Sequence, residues 1–271
     1  MRFQKPQRFF NPHYLYHKTF TALKQIPIIL LAVITSFAPY SCNSSAEKTP
    51  ASETEATVEK PATTESDWIA LFDGSSTQGW RGFNQETLPE NWVIEEGTLK
   101  SLGTGGDIGG DIVYGDREFE DFELSLEWKI SDGGNSGIFY HVLEGEQYKA
   151  PYENAPEYQL IDDIGFPEKL EDWQQVGADY AMYPADPAKK IVKKAGEWNT
   201  SRIVFRKEKA EYWLNGQKVV DFVPWSDDWM ARRNSGKWDD YPDYGKAEKG
   251  LIALQDHGSF IWFRNIKIRE L

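Results

Sequence analysis

Two stretches of this chain carry carboxylate, amide and imidazole groups at spacings that suit proton transfer. Residues 135–142 read Asn-Ser-Gly-Ile-Phe-Tyr-His-Val, and residues 157–163 read Glu-Tyr-Gln-Leu-Ile-Asp-Asp. Both alternate as strands do, with successive side chains on opposite faces. On that alternation Asn135, Gly137, Phe139 and His141 share one face, and Glu157, Gln159 and Ile161 share another. If the two strands are neighbours, these groups line one patch of sheet. An imidazole with an unperturbed pKa near 6.5 suits a proton shuttle, a carboxylate suits a general base, and amides suit hydroxyl recognition. A solvated outer sheet face has the same pattern. Two further same-face pairs lie near the end of the chain, Gln255 with His257 and Trp262 with Arg264. A structural, hydrogen-bonded role fits each histidine, and a buried ion pair with an acid fits Arg264.

The elements that must position these groups are strands. Residues 122–130 alternate Phe, Leu, Leu, Trp and Ile with Glu, Ser, Glu and Lys, the pattern of a half-buried strand. Residues 91–95 and 98–102, joined by Glu96-Gly97, read as a hairpin. Residues 210–214 and 217–223 read as another, closed by Asn215-Gly216, which supplies the positive φ of a tight turn. Short strands are expected at 68–72, 111–114, 202–207, 251–257 and 260–269, with a helix capped by Ser226 and running to about Arg233. Residues 164–196 hold three prolines with Trp173, Tyr180 and Tyr183, which predicts an ordered loop over the sheet. Many short strands, turn signals and almost no helix predict an all-β sandwich.

The N-terminal part reads differently. Residues 1–41 contain Arg2, Lys5, Arg8, Lys18 and Lys24 and no acid, with an apolar run at 26–37. A basic start, a short apolar core and small residues before a cut site describe a secretory signal. About 12 apolar residues fall short of the roughly 20 that span a bilayer. Cys42, the single cysteine, follows directly and suits lipidation after cleavage, although Pro39 and Tyr40 depart from the usual signal; ordinary cleavage leaving a free thiol is the alternative. One cysteine excludes an intrachain disulfide. Residues 42–66 are polar and hold Val58 as their one large aliphatic, so they are expected to be a flexible linker. Export as a membrane-anchored lipoprotein facing the periplasm or the cell surface follows. The globular part spans 67–271, long enough for one core. The formal net charge of −13 becomes −18 once the five positive charges of 1–41 are removed, which argues against nucleic acid as a partner.

An ordered series of motifs then points to a family. It runs Leu71-Phe72-Asp73-Gly74, Gly79-Trp80, Trp92-Val93, Gly97-Thr98-Leu99, Asp121-Phe122-Glu123-Leu124 and Gly134-Asn135-Ser136-Gly137-Ile138-Phe139. It continues through Glu157-Tyr158-Gln159-Leu160-Ile161-Asp162, Gly177-Ala178-Asp179-Tyr180, Gly196-Glu197-Trp198-Asn199, Asn215-Gly216, Leu254-Gln255-Asp256-His257-Gly258 and Phe263-Arg264-Asn265-Ile266. Residues 68–271 resemble the 3-keto-disaccharide hydrolase domain, whose members are described as 3-keto-glucoside lyases and 3-keto-2-hydroxy-glucal hydratases. The resemblance implies a concanavalin A-like jelly roll of two curved antiparallel sheets. It also implies an oligosaccharide or glycoside substrate oxidised at carbon 3, cleaved by proton abstraction at carbon 2, elimination at carbon 1 and rehydration. On that chemistry Glu157 is expected as base or as the orienter of a histidine, His141 or His257 as proton shuttle, and Arg264 as enolate stabiliser. Asn135, Gln159, Gln255, Trp262 and Tyr180 are expected to bind substrate, and Trp173 to stack on sugar. A divalent metal is compatible with a Glu–His–Asp cluster, but no spacing such as His-x-x-x-His assigns one. A non-catalytic lectin-like module and a conventional glycoside hydrolase are the alternatives. Glu157 and Asp162 point to opposite faces of a regular strand, which disfavours the second.

Overall fold

Period-two alternation organises nearly all of the structure, a computed structural model describing residues 67–106 and 110–271. The expected signal segment 1–41, the lipidation site Cys42 and the linker 42–66 lie outside the described residues. In chain order the strands are β1 (Ile69–Phe72), β2 (Trp80–Gly82), β3 (Trp92–Glu95), β4 (Thr98–Leu102), β5 (Ile112–Phe119), β6 (Phe122–Ile130), β7 (Asn135–Val142), β8 (Glu157–Ile161), β9 (Asn199–Arg206), β10 (Lys209–Leu214), β11 (Gln217–Phe222), β12 (Gly250–Leu254) and β13 (Phe260–Glu270). Helix α1 (Asp227–Arg233) is capped by Ser226, whose hydroxyl accepts from the Trp229 amide at 3.3 Å.

The strands form two antiparallel sheets, the expected jelly-roll sandwich. The larger has eight strands in the order β11-β10-β9-β6-β13-β4-β3, with β1 also paired to β13. The smaller has five in the order β2-β5-β12-β7-β8. Between them lies one core. Leu124, Leu126, Trp128, Phe205, Ile261 and Phe263 of the larger sheet pack with Ile112, Ile138, Tyr140, Leu160, Ile252 and Leu254 of the smaller. Both hairpins form as expected. Asn215 and Gly216 both take positive φ, 47° and 82°, as a twist-matched two-residue turn requires.

The smaller sheet is buried on its outer face as well. Val113, Phe139, Val142, Leu251 and Ala253 point away from the main core and make a second apolar cluster with Phe83 and Ala155, with Tyr148 and Tyr152 packed against it. The free edge of β8 is also covered. Tyr180 N donates to Glu157 O, Gln159 N to Ala178 O, and Gly177 N to Gln159 O, each at about 3.0 Å. The long loop at 164–196 is therefore ordered, and it blunts an edge strand that would otherwise expose unpaired backbone groups.

One strand breaks its own alternation. Val142 pairs with Leu251 and Phe139 with Ala253, so β7 takes three steps where β12 takes two. His141 absorbs the extra residue with φ +57°. A bulge of this kind re-aims the side chains beside it. Gly250 accommodates the bulge, since a Cβ there would lie 2.4 Å from the carbonyl carbon of His141.

Candidate active site

The outer face of the smaller sheet gathers the polar groups that the alternation assigned to one patch. Strand pairing builds two rows. Val113, Ala253, Phe139 and Glu157 are successive partners across the sheet. In the adjoining row Gln255 N donates to Gly137 O at 3.0 Å, and Gly137 pairs with Gln159. Asp111 joins this row, its Oδ1 accepting from Asp256 N at 2.9 Å.

Glu157 sits at the centre. It is 5% exposed. A Cβ placed on Gly137 would lie 2.3 Å from Glu157 Oε1, so the carboxyl occupies the space that a side chain at 137 would fill. Burial raises its pKa from 4.5 to about 7, with the charge of Lys237 opposing the shift. The residues around it present unused acceptors. Gln159 donates through Nε2 to Asn135 Oδ1 at 3.3 Å and to Gln174 O at 3.2 Å, while its Oε1 is buried without a partner. Gln255 Oε1 is likewise buried and unpaired. Two orphaned acceptors in a buried patch are costly unless a ligand hydroxyl or the proton of a neutral carboxyl reaches them.

Two charged residues of this patch escaped the sequence reading. Asp111, also 5% exposed, is raised to about 8, first by burial and further by the charges of Glu157 and Asp256. The sequence puts it at the start of an expected strand, 111–114, directly after a Gly/Asp turn, where nothing marks it as part of a site; the structure starts β5 one residue later. Lys237 stands in a 3-10 turn, Gly236–Asp240, and has no periodic signal. Its ammonium lies over the rings of Tyr180, Trp238 and Tyr152 at 4.3, 4.6 and 5.3 Å. Trp238, fully buried and stacked on Tyr244 at 3.7 Å, pins this turn. Lys237 remains accessible to solvent as a residue, yet protein atoms crowd its ammonium. That crowding lowers its pKa, and Glu157 opposes the shift. Tyr180 links the two groups. Its amide donates to the Glu157 carbonyl, its ring carries the Lys237 ammonium, and its own hydroxyl is pushed up to about 12 by burial. Trp173 meets Tyr180 edge to face at 5.3 Å and is 37% exposed, which leaves an aromatic surface at the rim.

Asn135, Glu157, Gln159, Gln255 and Tyr180 are thus brought together. His141 is not among them. The bulge turns it from the face of Asn135 into the main core, against Phe205 at 4.5 Å and Phe122 at 5.7 Å, and it is 1% exposed. Its Nε2–H donates to the Glu120 carbonyl at 2.9 Å, and burial lowers its pKa to about 4, so it is a neutral packed imidazole. His257 stands half-buried in the turn after β12, next to Asp256, whose Oδ2 accepts from Asn91 Nδ2 and Gly105 N.

Arg264 and Trp262 belong to the opposite sheet, on its outer face. Arg264 donates twice to Glu127 Oε2, at 2.9 and 2.6 Å, and stacks on Trp198 at 4.0 Å. Trp262 Nε1 donates to Glu95 Oε2, and the ammoniums of Lys129 and Lys100 lie over its ring at 4.5 and 4.9 Å. Alternation gives the face of a strand but not the sheet that the strand joins. A cleft of about 470 Å³ opens there, lined among others by Glu127, Thr200, Arg264 and Lys267. Its arginine is already satisfied by Glu127, and its carboxyls, Asp73 and Glu127, have lowered pKa values, whereas those of Glu157 and Asp111 on the smaller sheet are raised. Asp162 ends β8 as a turn residue, accepting from Gly133 N and Ile164 N. Among the described residues no group of three or more His, Cys, Asp or Glu is gathered for a metal.

Residues 67–269 match the family of 3-keto-alpha-glucoside-1,2-lyase-like domains. A curated relative from Bacteroides thetaiotaomicron, named 3-keto-disaccharide hydrolase, is 36% identical over 230 residues, covering 75% of this chain and 78% of its own. The crystal structure of a candidate glycosyl hydrolase from Parabacteroides distasonis is 41% identical with a TM-score of 0.71, covering 78% of this chain and 98% of its own. A second from the same organism is 31% identical with a TM-score of 0.57, covering 75% and 99%.

Proposed function

The chain belongs to the 3-keto-alpha-glucoside-1,2-lyase-like domain family, and from that membership and the Glu157 site we propose that it hydrolyses 3-keto-disaccharides by elimination and rehydration. Membership and the named relative make it a glycoside-cleaving enzyme. The observation that carries the mechanism is the Glu157 carboxyl, seated over Gly137 with its pKa raised to about 7.

A ketone at carbon 3 acidifies the proton on carbon 2. Burial raises the Glu157 carboxyl toward neutral pH, a poise that suits a general base. Glu157 takes the carbon 2 proton, and the positive charge of Lys237 faces the enolate that develops on the carbon 3 oxygen. Asp111, protonated at neutral pH, gives its proton to the oxygen leaving carbon 1. Water then adds at carbon 1 and a proton returns to carbon 2. The unpaired oxygens of Gln159 and Gln255 accept sugar hydroxyls, and Tyr152, Tyr180 and Trp173 supply ring faces.

A conventional glycosidase is the second reading, favoured by one observation: Asp111 gives Glu157 a carboxyl neighbour that the strand pattern did not supply. Trehalose and sucrose, each with and without a 3-keto group, separate the two. Glucose release from 3-keto-trehalose and fructose release from 3-keto-sucrose, with the unoxidised sugars left intact, are expected; equal cleavage of the unoxidised sugars would overturn the elimination mechanism.

A further inference from the structure

Lys237 is placed for more than a through-space charge. Its Nζ sits within 5.3 Å of three ring centroids, and among the described residues no direct ion pair joins it to Glu157. A lysine whose ammonium is ringed by aromatic carbon and left out of any tight ion pair meets the structural requirements of an amine nucleophile. Its neighbour is a poised carboxyl rather than a fixed anion. The expected substrate brings a ketone to this patch, and ketones are the partners with which lysine forms imines. Its lowered pKa makes the neutral amine more available.

We propose that Lys237 is a covalent catalyst, forming an iminium with the carbon 3 ketone of the sugar. This deepens the elimination reading and rests on it for the identity of the substrate. Lys237 Nζ bonds to carbon 3, and the ketone oxygen leaves as water, so an ammonium and a ketone become an iminium and water. The iminium is a stronger electron sink than the ketone. Glu157 takes the carbon 2 proton, and the electron pair forms the carbon 2–carbon 3 enamine. That pair then shifts to join carbons 1 and 2, restores the iminium and expels the carbon 1 oxygen, which takes a proton from Asp111. Water adds at carbon 1, and Glu157, its proton exchanged with solvent, protonates carbon 2. A second water hydrolyses the iminium, regenerating Lys237 and releasing 3-keto-glucose. One water is lost and one regained at nitrogen, the net reaction consumes one, and nothing is oxidised or reduced. The geometry accounts for the aromatic surround, whose faces tolerate the cationic iminium as they do the ammonium.

The test is reductive trapping with cyanoborohydride and 3-keto-trehalose, whose single carbonyl is the carbon 3 ketone. Intact-mass measurement and peptide mapping are expected to place one reduced sugar on Lys237. Glu157→Gln should trap the uncleaved disaccharide there. Lys237→Arg keeps the positive charge, cannot form an imine, and should lose both the adduct and at least about 10³-fold in kcat. Glucose release by the wild type, with no adduct on Lys237 and with Lys237→Arg within ten-fold of wild type, would overturn the proposal and leave the elimination reading standing. An adduct on Lys237 without glucose release would support the imine and overturn the elimination reading. Neither adduct nor release would overturn both.

Discussion

The carboxyl of Glu157 and the missing side chain of Gly137 are one feature seen from two residues. Gly137→Ala puts a methyl group 2.3 Å from Oε1, so the carboxyl must shift. Displacements of about 1 Å can cost about 10²-fold in rate. A loss of that size in kcat/KM is expected, with a thermal midpoint within a few degrees of wild type; normal kinetics would remove Glu157 from the chemistry. The pH–rate profile follows from the two carboxyls. Activity should rise as pH passes about 7, where Glu157 loses its proton, and fall above about 8, where Asp111 does. The charge of Glu157 helps to raise Asp111, so the limbs belong to the pair rather than to either residue. A profile flat from pH 6 to 9 would contradict both assignments. Glu157 and its amide neighbours were legible because β8 and β7 alternate regularly up to Phe139. Lys237 and Asp111 were not: Lys237 lies in no periodic element, and Asp111, at the first position of an expected strand, has no same-face polar partner to mark it.

At the scale of elements, one extra residue in β7 decides the fate of His141. Strict period two puts it beside Asn135, and the bulge puts it in the core. Its pKa falls from 6.5 to about 4, so the native state binds fewer protons than the unfolded chain in that window. The stability it contributes is present above pH 6.5 and is lost as pH falls toward 4. That gap corresponds to about 3 kcal/mol. His141→Leu should therefore show a shallower loss of urea stability between pH 6.5 and 4 than wild type, although it is less stable at pH 7. An unchanged pH dependence would contradict neutral burial. The same distinction separates well-read from misread elements elsewhere. The β10–β11 hairpin follows from Asn215-Gly216, a local demand on φ. The three-residue strand β2 is too short for any period to show.

For the whole molecule, the decisive fact is which sheet each strand joins. Arg264 and Trp262 alternate correctly on β13, with Phe263 inward between them, yet their sheet turns its outer face away from Glu157. The architecture was legible from many short strands, and the family from the order of motifs, but the pairing of distant strands is a non-local choice that no single stretch encodes. That pairing makes the smaller sheet buried on both faces and places two carboxyls with raised pKa on its outer side. The proposed elimination has this face remove a proton from carbon 2 before the glycosidic bond breaks. Turnover of 3-keto-trehalose in deuterated water tests it most directly. The enzyme should place solvent deuterium at carbon 2 of the released keto-sugar beyond the enzyme-free level, and Glu157→Gln should abolish both incorporation and release. Glucose release with carbon 2 carrying no more deuterium than the enzyme-free control would contradict it.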